Sequence, residues 1–219
     1  MDRITDAFIW PTRDPEWVKK LLIIALILLI PIVGAINGLG WMLASIDRLR
    51  AGEKGLAPAN LGYIVRGFPL FVANLVYELA IALVAGAIYI PAVLMASNES
   101  HGSANPAVIS GAIILSLLAF SIVTLGSLAL NFAMPSIVLA TDAGGISGGL
   151  NLATVLRRVR ANLSNTLIAG LMLIAAGFVG SLGIIACAIG ILFTTAYALA
   201  IQAWVIRSFE VGSPAAKAA

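Results

Sequence analysis

Inside the long apolar runs of this chain stands a single acidic residue, Glu78. It lies in the stretch 68–96, FPLFVANLVYELAIALVAGAIYIPAVLMA, which contains no Lys, Arg or Asp. In a helix starting at Phe68, Glu78 would lie roughly 15 Å along the axis, close to the middle of a bilayer core about 30 Å thick. A carboxyl at that depth is costly unless it takes a proton or finds a partner. Asn74 is one turn earlier on the same face, and Asn37, Asn131 and Gln202 are other amides in apolar runs. Two chemistries follow for a candidate intramembrane polar site of Glu78, Asn74, Asn131 and Asn37. The plainer is a neutral carboxyl bonded to an Asn on a neighbouring helix as interhelical glue. The sharper is a proton or cation relay in a small transporter or channel.

Other reactive groups are few. The chain has no GxSxG elbow and no HExxH pair, and its one His (His101) and one Cys (Cys187) cannot build a multi-residue metal site or a disulfide. No cofactor or metal is expected, and a non-enzymatic role is favoured. The glycine-rich segment 142–149, DAGGISGG, lacks the Lys-Ser/Thr ending of a phosphate-binding loop and reads as a flexible link. Next, Leu152, Val155, Leu156, Val159 and Leu163 recur at helical spacing beside Arg157, Arg158 and Arg160. That pattern predicts a basic amphipathic helix over 151–163, lying on anionic lipid headgroups of the cytoplasmic leaflet. A docking surface for a partner protein is the alternative.

The elements that must position these residues are membrane helices. Of the 219 residues 61% are hydrophobic and 11% charged, with a mean hydropathy of +1.05, so the chain's solvent is lipid. Continuous apolar runs without period-two alternation exclude a β-barrel. The fold class is therefore all-α, a polytopic helical bundle in one integral membrane domain, 1–219. A net charge of +3 does not call for nucleic acid. Residues 1–20 mix both signs and read as a retained interfacial segment, with Trp10 and Trp17 suited to the headgroup level.

The run 21–46 is interrupted by Pro31, Gly34, Asn37, Gly38 and Gly40, which predicts a kinked single span, with a broken, re-entrant element as the alternative. After a polar loop at 47–67 and the helix at 68–96 comes a polar turn, 97–106, that holds His101. The run 107–141 should end or kink near Pro135. The stretch 165–206 suits a helical hairpin turning among Gly180, Gly183 and Gly190, and 207–219 is expected to be a disordered tail. Lys and Arg are absent from 67–156, between Arg66 and Arg157, and again from 161–206, between Arg160 and Arg207. If basic ends stay inside, each stretch crosses twice, giving four firm spans, five with the broken helix, and a cytoplasmic C-terminus in a cell membrane.

Three blocks resemble a family of prokaryotic membrane proteins, domain of unknown function 4013. Asp14-Pro15-Glu16-Trp17-Val18-Lys19-Lys20 is similar to its aspartate-proline-x-tryptophan-x-x-lysine entry. Gly40-Trp41, followed by Asp47-Arg48-Leu49-Arg50 and Gly52, resembles its glycine-tyrosine and arginine-rich helix end, with Trp41 for Tyr. The segment from Cys187 through Gly190, Phe193 and Thr194 to Tyr197 is similar to its closing cysteine-glycine-phenylalanine-threonine segment. Where the family has an acidic, proline-bearing loop, this chain has Ala57-Pro58-Ala59-Asn60, and Glu78 is not part of the family pattern. The resemblance implies a polytopic bundle and no known reaction. A scaffold or accessory subunit is the leading expectation, with lipid and either a second copy or another membrane protein as partners. No convincing internal repeat is present, which disfavours the transporter.

Overall fold

The computed structural model describes residues 2–99 and 105–212. His101 and residues 213–219 lie outside them, as does the side chain of Cys187. The described residues form helices and turns without a strand. In order these are α1 (Asp2–Ile9), a 3-10 turn (Trp10–Arg13), α2 (Trp17–Leu28), α3 (Val33–Arg50), α4 (Ile64–Glu99), α5 (Pro106–Leu150), α6 (Leu152–Ala161), α7 (Leu163–Ser181), a second 3-10 turn (Leu182–Ala186) and α8 (Cys187–Gly212). Four stretches among them are long and apolar enough to cross a membrane: Ile64–Ser97, Pro106–Leu150, Leu163–Ile184 and Gly190–Gly212. The chain divides into two compact units, one of Met1–Ala73 with Asn131–Ala219, the other of Asn74–Leu130.

In the first unit the run 21–46 does not make one kinked span. The chain stops being helical around Pro31, where Ile32 takes a positive φ of 65°, and α2 and α3 fold back on each other. Two observations require this. A Cβ at Gly34 would lie 2.3 Å from the Ile27 carbonyl oxygen, so the helices touch backbone to backbone at the turn. Lys20 and Ser45 also bond adjacent loop residues, Leu56 and Ala57, although in one straight helix they would stand about 38 Å apart. At 12 residues, α2 is about 18 Å long, shorter than a bilayer core.

The expectation for 107–149 also needs correcting. Helix α5 runs through Pro135 without leaving helical geometry, and the break comes at Gly145 (φ 63°, ψ −153°). There the chain turns sharply enough that a Cβ at Gly148 would sit 2.3 Å from the Ala140 carbonyl oxygen. DAGGISGG is thus a tight corner: glycines that read as slack in a sequence here permit close approach and a left-handed φ. Helices α7 and α8 form an antiparallel hairpin. At one end Thr194 Oγ1 donates to the Gly180 carbonyl (2.6 Å). At the other, Asn162 and Asn165 donate to the carbonyls of Gly212 (3.2 Å) and Phe209 (3.0 Å). Residues 207–212, expected in a disordered tail, are helical.

Part of the segment 5–20 packs against the rest of the first unit. Ala7, Trp10 and Asp14 are buried, and Trp17 meets Phe193 at a tilt (centroids 6.4 Å apart) and Tyr197 edge-on (6.3 Å). The Tyr197 hydroxyl donates to the Phe8 carbonyl. The two terminal blocks of the sequence therefore meet.

The second unit is an antiparallel pair made from the later part of α4 and the earlier part of α5. Gly126 lies against Ile81 and Gly111 against Met95, while Ala85, Ala92, Ala112 and Ala119 are buried. Its outer surfaces, including Leu79, Leu83, Ile114, Leu117, Phe120 and Leu125, are exposed.

Candidate functional site

Polar side chains of the first unit gather in two places, and both concern how the chain holds itself. The first is the loop between α3 and α4, residues 51–63. On α3, Asn37, Trp41, Ser45 and Arg48 recur every three or four residues and so share a face. Each takes hold of loop backbone. Arg48 Nε donates to the Gly55 carbonyl (3.2 Å), Ser45 Oγ accepts from Ala57 N–H (3.3 Å), and Trp41 Nε1 donates to the Ala57 carbonyl (3.0 Å). Asn37 Nδ2 donates to the Asn60 carbonyl (2.9 Å) while its Oδ1 accepts from Tyr63 N–H (3.1 Å). From the other side, Asp14 accepts from Leu56 N–H (2.7 Å) and Lys20 donates to the Leu56 carbonyl (3.1 Å). Lys20 and Asp14 are themselves paired at 2.7 Å. Burial raises the Asp14 carboxyl, but the bonds from Lys20 and from the N–H groups of Glu16 and Leu56 outweigh it and hold the group below its ordinary value.

Beyond the loop, the first turn of α4 lies so close to α3 that a Cβ at Gly67 would be 1.9 Å from the Ile36 carbonyl oxygen. A Cβ at Gly40 would be 2.1 Å from that of Tyr63.

The second gathering is a cluster of three arginines and three carboxylates. Arg50, at the end of α3, donates to Asp142 of α5 (2.7 Å), to both oxygens of Glu210 of α8 (2.9 and 3.1 Å) and to Asp47 (3.0 Å). Arg66 of α4 pairs with Asp47 and with Asp142 (3.3 Å), and Arg207 with Glu210 (2.8 Å). Burial works against the charge on Arg50, yet Glu210 and Asp142 hold its guanidinium ionised more firmly than usual. Four helix ends are tied at this one place. Every carboxylate in it faces a guanidinium, which leaves none free to act as a base. Sequence reasoning missed it because Asp142 and Glu210 look like isolated acids at the margins of apolar runs. The available signal was partial: Asp47 and Glu210 stand within three residues of Arg50 and Arg207, whereas Asp142 has no arginine near it in sequence.

Of the residues singled out as an intramembrane polar site, Asn37 is fully buried and committed to the loop. Glu78 and Asn74 lie on the part of α4 in the second unit, and Asn131 lies on α5 in the first. Glu78 is exposed and has no hydrogen bond or ion pair among the described residues. Asn74 is half-buried, and its Oδ1 accepts no hydrogen bond. Arg157, Arg158 and Arg160 are exposed on α6. That helix is capped by the Asn151 side chain, which accepts from Thr154 N–H (3.0 Å), and it buries Val155. Among the described residues no group of three or more His, Cys, Asp or Glu could hold a metal ion.

The fold and these sites define an all-helical protein with four membrane-capable helices and no assembled catalytic constellation among its described residues. The chain belongs to the family described as "Protein of unknown function (DUF4013)", whose model matches residues 23–204. The blocks at residues 40–52 and 187–197 fall inside that range, and the entry block at residues 14–20 precedes it. Comparison with curated proteins finds no match, nor does comparison with solved structures.

Proposed function

We propose that this protein is a multi-pass integral membrane scaffold or accessory subunit of a prokaryotic cell membrane. Its charged helix ends face the cytoplasm, and Arg157, Arg158 and Arg160 take anionic lipid headgroups. One observation carries the reading of α6. Arg13, Arg48, Arg50, Arg66 and Arg207 each meet a carboxylate of the chain itself. The three arginines of α6 meet none among the described residues. Exposed guanidiniums beside the apolar Leu152, Leu156 and Val159 suit a bilayer surface, which offers phosphate to the first and hydrocarbon to the second. The orientation draws support from the start of α7 and the end of α8, which meet through Asn162 and Gly212. This puts α6 at the same end of the first unit as the Arg50 cluster, and basic residues concentrate on cytoplasmic faces. Glu78 stands on an outer surface of α4, which favours the scaffold over a transporter or channel that uses Glu78 along an interior path.

The test uses the full chain in nanodiscs, with bound lipids counted by native mass spectrometry. The wild type should retain anionic lipid over zwitterionic lipid. Replacing the three arginines by Glu should remove that preference, at about 1 kcal/mol per charge lost. Equal retention of both lipid classes by the wild type would defeat this reading of α6. For topology, single cysteines at Ser100 and Ser147 in a Cys187→Ser background should differ toward an impermeant thiol reagent on intact cells. Position 100 should label and position 147 should not.

A further inference from the structure

We propose that a second copy of this chain docks on the face of α4 formed by Asn74, Glu78, Ala82 and Gly86. The proposal rests on α4 crossing the membrane, as in the function proposed above. These four residues follow one another at intervals of four, so they make a single ridge along the helix. An adjacent line, Ile81, Ala85 and Ala92, is taken up within the hairpin with α5. The ridge itself is open: Glu78 and Ala82 are exposed, and a Cβ built on Gly86 meets nothing within 4 Å.

Its chemistry is self-complementary. No Lys or Arg lies between Arg66 and Arg157 or between Arg160 and Arg207, so a second copy answers Glu78 with neutral hydrogen bonds rather than a cation. A carboxyl oxygen accepts hydrogen bonds, and an amide both donates and accepts. Asn74 Oδ1 is buried without a donor in the single chain, and the Asn74 Nδ2 group, which makes no hydrogen bond there either, is the donor offered to Glu78 of the other copy. Copies inserted with the same orientation lie parallel, which sets each Glu78 four residues, about 6 Å along the axis, from Asn74 of the other. Both members of the bond are thus supplied twice by one two-fold contact, and that contact closes at a dimer. The small residues Ala82 and Gly86 let the two backbones approach at the crossing.

The experiment is resonance energy transfer between donor- and acceptor-labelled full-length protein in liposomes, over a series of lipid-to-protein ratios. Thiol accessibility at positions 100 and 147 is measured on the same vesicles. If the two positions lie on one side, α5 does not cross, the α4–α5 hairpin does not span as proposed and the underlying reading fails. If they lie on opposite sides, the transfer curves decide the dimer. The wild type should follow a monomer–dimer curve, and Glu78→Gln, which keeps an acceptor oxygen at the same place, should stay within about twofold of it. Glu78→Leu loses two symmetry-related bonds and should weaken association about tenfold. Gly86→Leu, which fills the crossing point, should weaken it at least as much. Both changes are at open positions, so thermal unfolding of the variants should match the wild type. Spanning wild type that shows only random-proximity transfer would overturn the proposal. So would Leu variants that associate like the wild type, or dimers that form only when a helix bearing Lys or Arg is supplied.

Discussion

The two units of this protein are held together by different means. The first, Met1–Ala73 with Asn131–Ala219, closes on itself through directional bonds: a loop gripped from both sides, six charges in one cluster, and glycines set where backbones touch. The second, Asn74–Leu130, relies on small residues between two helices and leaves its large apolar side chains outward. The apolar windows of α4 and α5 are only 11% buried, against 33% in α7 and 44% in α8. Lipid is as apolar as leucine, so a membrane hairpin needs no core of its own, whereas polar groups must find partners wherever they sit. The first unit is therefore self-sufficient and the second is poised to be covered.

That contrast can be broken by substitution. The largest loss is expected at Gly67, where any side chain must push into the Ile36 carbonyl. Gly67→Leu should cost about 4 kcal/mol in reversible unfolding in detergent micelles, beyond ordinary overpacking because the obstacle is backbone. Asp14→Ala should follow at about 3 kcal/mol, since it strands Lys20 and the Leu56 N–H in a site where Asp14 is only 3% exposed. This residue also gives a pH signature. Its folded value is depressed, so its contribution is complete above the unfolded value of about 4 and is lost as pH falls through the folded value. Acid unfolding of the wild type should steepen below pH ~4, and Asp14→Ala should lack that part of the slope.

Arg50→Gln should cost about 2 kcal/mol, less because its cluster remains open to water. The smallest effect belongs to the second unit: Gly86→Ala should leave stability within about 0.5 kcal/mol of wild type. A loss above 2 kcal/mol at Gly86 would mean that the second unit is as tightly built as the first.

How much could be read in advance follows from the same contrast. The four long helices were legible because hydropathy is a local property. The break near Pro31 was legible too, since proline and clustered glycines act on their own turn. The doubling back of α2 on α3 was not, because it depends on where residues 51–63 travel after α3 ends. Asn37 illustrates the difficulty: an amide in an apolar run looks like a membrane site, and only the path of the loop reveals that its partners are Asn60 and Tyr63. Gly145 and Gly148 misled in the opposite direction, since composition cannot separate a loose linker from a corner only glycine can turn. Glu78 stands out in the sequence for its place in an apolar run, but whether it meets a neighbouring helix cannot be read from that place alone.

The pairing of Arg50 with Glu210 has a consequence for biosynthesis. Their side chains are separated by 160 residues of chain. At translation rates of about 5–20 residues per second, Arg50 leaves the ribosome roughly 10–30 s before its last carboxylate is made. Through that interval Arg50 has only Asp47, and then Asp142, to pair with. A message cut short before codon 207 would lose Arg207 and Glu210 together. Such a product would keep Arg50 and Arg66 matched by Asp47 and Asp142, and what it would lack is the tie from the end of α3 to the end of α8.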